Sequence, residues 1–369
     1  MVDNMINDIF PRLGRKQWAL IMIFLLIVFT TISAYTGTVK AEDEEFSLEE
    51  KLDYDDLDAR SMSFHPSGDY LAVSDDDTGD LLILDTSDWS TTERLTETGS
   101  KDFDFSPSGD YLATTSDSSG ESNDIIETDD WSIIEEKPIE GFSDNVALSD
   151  QYFASGEDNN LEIYNKEDWS PEETISEVPE NMENLEFSPC YEYLGATINQ
   201  SHGGDVYLIE VGTWESEKIY DNGRGLAFSD DRIAVGSEDN SVPIFDYEGT
   251  QLDKITTPTN DAKEVDFCPN YNNLAIGSLD GYIYIHESDN WDHVETLTDP
   301  ETAVYDVEFS SSYLTASSWD DNVYIYNYPS DGFILTDYDD PTEFFLDNPI
   351  IIVVMVLILL AIVSKSKRG

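Results

Sequence analysis

The chain has 369 residues, 79 of them acidic and 18 basic, for a formal net charge of −61. Charge of that sign and size excludes nucleic acid as a partner, because phosphates would be repelled. Aromatic residues at 12% and recurrent Val/Ile/Leu/Tyr runs exclude a disordered acidic coil, since they can build a core. The carboxylates then read as a solvated surface suited to high, halophilic salt.

Residues 1–41 read as a signal peptide or a signal anchor. "RLGRKQWALIMIFLLIVFTTISAY" joins a basic start to a long apolar run, and Val39-Lys40-Ala41 offers a cleavage point. A cleaved and a retained segment both fit.

Residues 42–338 repeat. "FHPSGDYLAVS" starts at Phe64, "FSPSGDYLATTS" at Phe105, "LSDQYFASG" at Leu148, "FSPCYEYLGAT" at Phe187, "FSDDRIAVGS" at Phe228, "FCPNYNNLAIGS" at Phe267 and "FSSSYLTASS" at Phe309. The steps are 41, 43, 39, 41, 39 and 42 residues, a period that marks a repeat architecture. In each unit a first strand alternates, as in Phe103-Asp104-Phe105, and ends at a Ser-Pro-type turn. A second strand such as "YLAVS" follows, then a tight turn such as Asp239-Asn240 or Asp280-Gly281. The third is of the "VYIYN" kind, and the fourth follows Trp89, Trp131, Trp169, Trp214 or Trp291. Those tryptophans recur at one place in the unit, which reads as packing at its edge. Four antiparallel strands per forty residues predict an all-β, seven-bladed β-propeller. Leu52 lies twelve residues before Phe64, as Leu297 does before Phe309. The segment "FSLEEKLD" therefore reads as an outer strand that completes the last unit and closes the ring, with "FILTDY" as the rival for that place.

Residues 339–348 are a linker, 349–364 a transmembrane helix and 365–369 a cytoplasmic basic tail. The run Ile350 to Val363 has 14 apolar residues, and "SKSKRG" follows in stop-transfer fashion. Such a run spans about 21 Å of a core about 30 Å thick, so Phe344 to Leu346 and snorkelling lysines supply the remainder. Bases at both ends belong on the cytoplasmic side, which puts the repeats outside a cell membrane. Asn199 in "NQS" is then a possible exterior glycosylation acceptor.

The repeats resemble the WD-repeat propeller family over about residues 42–328, through "FSPSGDYLA" and the Ser-x-Asp turn of "GSLDGYIYIHE". The chain looks like a membrane-anchored exterior member of halophilic archaeal type. It departs from the family in two ways. No Gly-His precedes the first strand, and Leu84-Asp85, Tyr164-Asn165, Phe245-Asp246 and Tyr326-Asn327 stand where Trp-Asp would. The family's buried His-Asp network is thus missing.

His65, His202, His286 and His293 have no nucleophile or metal partner at a readable spacing. Cys190 and Cys268 read as free thiols, and without His neighbours they form no zinc site. "DDDTGD" at 75–80 hints at calcium, but its glycine is misplaced for an EF-hand loop. These readings assign no enzyme activity, no cofactor and no metal. They favour a protein-interaction scaffold or receptor working through one face with a protein partner; the alternative is an exterior enzyme or a small-anion binder using a central channel.

One column concentrates bases. Four residues before each repeat's opening position stand Arg60, Lys101, Asp144, Glu183, Arg224, Lys263 and Tyr305. Four of these seven are basic, although only 11 of the 307 residues from 42 to 348 are. The column has the parity of the inward-packing residues and falls where the first strand starts, at the channel rim. Two accounts stay open. Each base neutralises neighbouring carboxylates, or Arg60, Lys101, Arg224 and Lys263, with Tyr305, form a collar that grips an anionic group. In strong salt the Debye length is about 3 Å, so a collar would act only by contact.

Overall fold

The computed structural model describes residues 46–53, 59–75, 78–96, 98, 102–115, 122–138, 143–157, 160–176, 178, 182–198, 204–270 and 272–327. The expected segments 1–41, 339–348, 349–364 and 365–369, together with Lys101 and Asn199, lie outside them. Among the described residues the chain is all β-strand, in antiparallel sheets, and no helix is long and apolar enough to cross a membrane.

The repeat period becomes a four-stranded sheet. In the first unit Met62–Phe64 pairs with Tyr70–Asp75, that strand with Asp80–Asp85, and that one with Thr91–Leu95. Second strands are buried over nearly their whole length, as Leu71, Ala72 and Val73 show, because sheets cover both of their faces, whereas a third strand such as Asn160–Asn165 is buried only at alternate positions. Fourth strands such as Thr91–Leu95 face solvent and carry the charges.

Two departures from one sheet per unit have physical causes. First, Ser216–Phe228 is a single 13-residue strand that serves as the last strand of one unit and the first of the next, giving a seven-stranded sheet. No turn interrupts it. At Gly223 a Cβ would stand 2.1 Å from Val206, so the glycine lets the continuous strand pass close to its neighbour. Second, Ser47–Asp53 pairs with Asn322–Asn327, from Ser47 opposite Asn327 to Asp53 opposite Asn322, so that the chain's start completes its last sheet.

The core lies between sheets. Ala72, Leu81 and Ile83 of the first unit pack on Phe103, Phe105 and Leu112 of the second. Clusters of the same kind join each neighbouring pair, and Val323 and Ile325 of the last unit pack with Leu71 and Val73 of the first. The succession of interfaces thus returns to its start.

Tryptophans latch these interfaces. Trp89, Trp131, Trp169 and Trp214 have φ of 56–57°, a left-handed conformation costing about 1–2 kcal/mol in an L-residue. In return each ring meets a tyrosine of the preceding unit edge-on. The pairs are Trp89–Tyr313, Trp131–Tyr70, Trp169–Tyr111 and Trp214–Tyr152, at 4.9, 6.0, 5.7 and 5.0 Å. Where the unit after Phe228 lacks the tryptophan, Gly249 takes the turn position with φ 72°.

The turn aspartates hold neighbouring segments together. Asp280 Oδ2 accepts from Thr259 N at 2.9 Å, Thr259 Oγ1 at 2.7 Å and Tyr284 OH at 2.8 Å. Asp320 Oδ2 likewise accepts from Glu301 N and Tyr324 OH. These bonds tie the turn between second and third strands to the segment entering the first strand, which fixes the rim residues discussed below. The two cysteines are free thiols, Cys190 exposed and Cys268 buried.

Candidate functional site

The alternation of the first strands builds a cavity of about 890 Å³. Residues of opposite parity to Phe64 turn into the cavity; those of its parity pack largely between sheets, except Arg60, Lys263 and Tyr305, which line the cavity at its mouth. Ser61 and Ser63, Asp102 and Asp104, Asn184 and Glu186, Glu264 and Asp266, and Asp306 and Glu308 line it in pairs two residues apart.

Most of these carboxyls perform a structural task. A first strand is the inner edge of its sheet, so its outward N–H groups lack ladder partners. Carboxyls of the preceding sheet accept from them. Asp102 takes Val146 N at 3.1 Å, Asp104 takes Leu148 N at 2.7 Å, and Asp266 takes Phe309 N at 2.7 Å. Asp306 takes Met62 N at 2.6 Å, and Glu308 takes Phe64 N at 3.4 Å. The last two join the end of the repeat array to its beginning.

Burial makes these carboxyls weak acids. It raises Asp102 to about 6 and, with added repulsion from Asp102, Asp104 to about 7. Burial raises Asp266 to about 8 and Asp306 to about 7, although bonds from Phe309 N and Met62 N oppose it. Glu186, Glu264 and Glu308 are also pushed up, first by burial and then by neighbouring carboxylates. Asn184 Nδ2 donates to Glu264 Oε1 at 3.3 Å, joining first strands two units apart. Gly225 lies between them, and a Cβ there would stand 2.0 Å from Glu264 Oε1.

The base-rich column divides at the cavity mouth. Arg224 contacts Glu183 at 3.0 Å, Glu238 at 2.6 Å and Asp261 at 3.5 Å, and Lys263 also grips Glu183. Burial alone would raise the Glu183 carboxyl, but Lys263 and Arg224 outweigh it and hold it below the usual range. These two bases thus meet the chain's own carboxylates. Arg60 sits elsewhere, with its guanidinium 5.8 Å from the centre of the Tyr305 ring. Tyr305 in turn lies 5.7 Å from Trp319, which is 63% exposed. The structure therefore brings together Arg224 and Lys263 on Glu183, and Arg60 and Tyr305 with Trp319.

Sequence reasoning missed Trp319 and the cavity carboxyls. Trp319 falls in a turn, outside the tryptophan series. The acids were hidden by the abundance of acids everywhere; their one signal is position, a carboxyl inside an apolar alternation such as Val265-Asp266-Phe267.

The acidic turn at 75–80 holds a cation of the chain's own. Arg94 contacts Asp80 at 2.6 Å and Asp75 at 3.1 Å. Among the described residues no group of three or more His, Cys, Asp or Glu is gathered to hold a metal ion. His65 bonds the Gly109 carbonyl of the next unit, and His286, in the strand Ile283–Glu287, bonds the Trp291 carbonyl. Neither a protein-family model nor a curated protein sequence matches the chain.

Proposed function

We propose that residues 46–327 form a seven-bladed propeller of WD-repeat type, anchored outside a membrane, that binds a protein partner through the mouth bearing Arg60, Tyr305 and Trp319. The observation that carries this reading is the Arg60–Tyr305–Trp319 cluster, with its 63% exposed tryptophan. Arginine, tyrosine and tryptophan are enriched among the residues that dominate interface energetics. The propeller itself is supported by interfaces joining every neighbouring pair of units, the last with the first.

Strand register supports the orientation. Ser47 and Asn327 pair at one end of the last sheet, while Asp53 and Asn322 pair at the other, beside the turn carrying Trp319. Chain links leaving toward the apolar segments therefore start opposite the mouth, which faces away from the bilayer. Protease added to intact cells should remove the propeller; survival until lysis would refute the topology.

A photoreactive amino acid at position 319 tests the interface in cells. A discrete higher-mass adduct is expected, lost when Arg60→Gln and Tyr305→Ala are added. Equal adducts from Val294, on an exposed outer strand, would mean that the mouth is not the binding face.

A further inference from the structure

We propose that the cavity beneath the mouth binds an alkylammonium ligand, a short diamine or polyamine, and not the anion that a basic collar would suggest. The inference is independent of the interaction reading above.

Its first support is the charge balance of the wall. Among the described residues eight carboxyl side chains line the cavity against two bases, Arg60 and Lys263. Lys263 is already bound to Glu183, and Arg60 lies over Tyr305. A cationic guest would favour the ionised form of the deeper carboxyls, which burial otherwise keeps protonated.

The second support is a pair of buried carbonyl oxygens. Asn145 is 8% exposed and belongs to the cavity wall. Its Nδ2 donates to Asp102 Oδ2 and to the Glu183 carbonyl, both at 3.2 Å, while its Oδ1 accepts nothing. Asn184 repeats the arrangement: Nδ2 donates to Glu264, and Oδ1 has no partner. Buried carbonyls of this kind are normally satisfied. Here two of them stand beside carboxyls and receive no hydrogen bond from the wall.

An ammonium group supplies both needs, with three N–H donors on one positive centre. A bare metal ion fits less well. Calcium needs about six to eight oxygens converging on one point, and no three acidic or imidazole groups among the described residues converge. The volume, about 890 Å³, is that of a small-molecule pocket. The carboxyls stand in two tiers, one holding Asp102, Glu264 and Asp306, the other Asp104, Glu186, Asp266 and Glu308. Tiers two residues apart along a strand are separated by about 7 Å. A short alkyl diamine spans that distance with an ammonium in each tier.

Titration calorimetry of the full chain in detergent, with spermidine as the probe, tests the proposal. One saturable class of sites is expected. Glu264→Gln should weaken it about tenfold, the loss of roughly one charged contact. Ser61→Lys, which places an ammonium in the cavity while leaving the carboxyls intact, should abolish it. Asp289→Asn, on an exposed turn, should change nothing. Absence of saturable binding to the wild-type chain overturns the proposal whether or not a variant folds. So does equal binding by the Ser61→Lys and wild-type chains, each checked by its melting transition, which would mean surface adsorption. Displacement of spermidine by stoichiometric calcium chloride would reassign the cavity to a metal cation and also overturn it.

Discussion

The two ends of the sheets are built on opposite principles. At the end where third strands finish, one device repeats: a left-handed tryptophan set edge-on against a tyrosine of the preceding unit, in four of the interfaces. At the other end, where first strands begin, the same column holds Arg60, Glu183, Arg224, Lys263 and Tyr305, which meet one another in two unlike groups, Arg224 and Lys263 on Glu183 and Arg60 over Tyr305. Packing between equivalent sheets poses the same problem at every interface and gets the same answer. The mouth has no such uniform demand, and its residues differ from unit to unit. In a repeat protein, then, sameness marks what holds the units together, and departure from sameness marks where a specific task is placed.

The comparison is broken most severely at the latch. Trp89 is buried against Tyr313. Trp89→Ala should cost about 3 kcal/mol in guanidinium unfolding. Trp89→Gly should cost about 1 kcal/mol less than that, because glycine accepts the left-handed turn. A larger loss for glycine than for alanine would show that the backbone conformation is not under strain.

At the mouth the effects should be smaller and unequal. Arg224→Gln removes charged contacts to three half-buried carboxylates and should cost about 2 kcal/mol. Arg60→Gln should stay within about 0.5 kcal/mol and change only adduct formation at the mouth. Equal losses from the two substitutions would return Arg60 to a purely structural role.

The finest distinction is one of slope with pH. Cavity carboxyls keep their protons in the fold up to about 6 to 8, whereas in the unfolded chain they ionise near 4. Between those values the folded state binds more protons, so stability falls as pH rises through that window. Below about 4 both states are protonated and these groups contribute no slope. Asp266→Asn keeps an acceptor for Phe309 N but removes one titrating group. The decline in melting temperature between about pH 5 and 8 should become shallower, with the variant gaining on wild type at the alkaline end. Parallel curves would mean that Asp266 ionises normally in the fold.

Much of the strand pattern was legible because it depends on local rules. The alternation before Phe105, the Asp-Gly turn at 280–281 and the twelve-residue spacing of Leu52 from Phe64 each describe a short-range choice, and each appears as a strand, a turn or the pairing of Ser47–Asp53 with Asn322–Asn327. The fusion of two units through Ser216–Phe228 was not legible. It arises from what Gly223 lets the backbone approach, which is a three-dimensional matter. The base-rich column was visible because bases are rare in this chain, yet its partners were not: Glu183 collects two bases through contacts spanning 41 and 80 residues of sequence. Asp104 and Asp266 carried almost no signal, since one acid is unremarkable in a chain with 79.

The pairing of Ser47–Asp53 with Asn322–Asn327 also sets how the molecule bears load. Its two strands enter and leave at the same pair, Ser47 with Asn327. Tension drawing the ends apart acts across the hydrogen bonds at that pair and opens them one after another toward Asp53 and Asn322. Tethers pulled in the same direction by a single surface put no such strain on the seam. The fold is a clasp: weak when its ends are pulled apart, and unloaded when both hang from the same support.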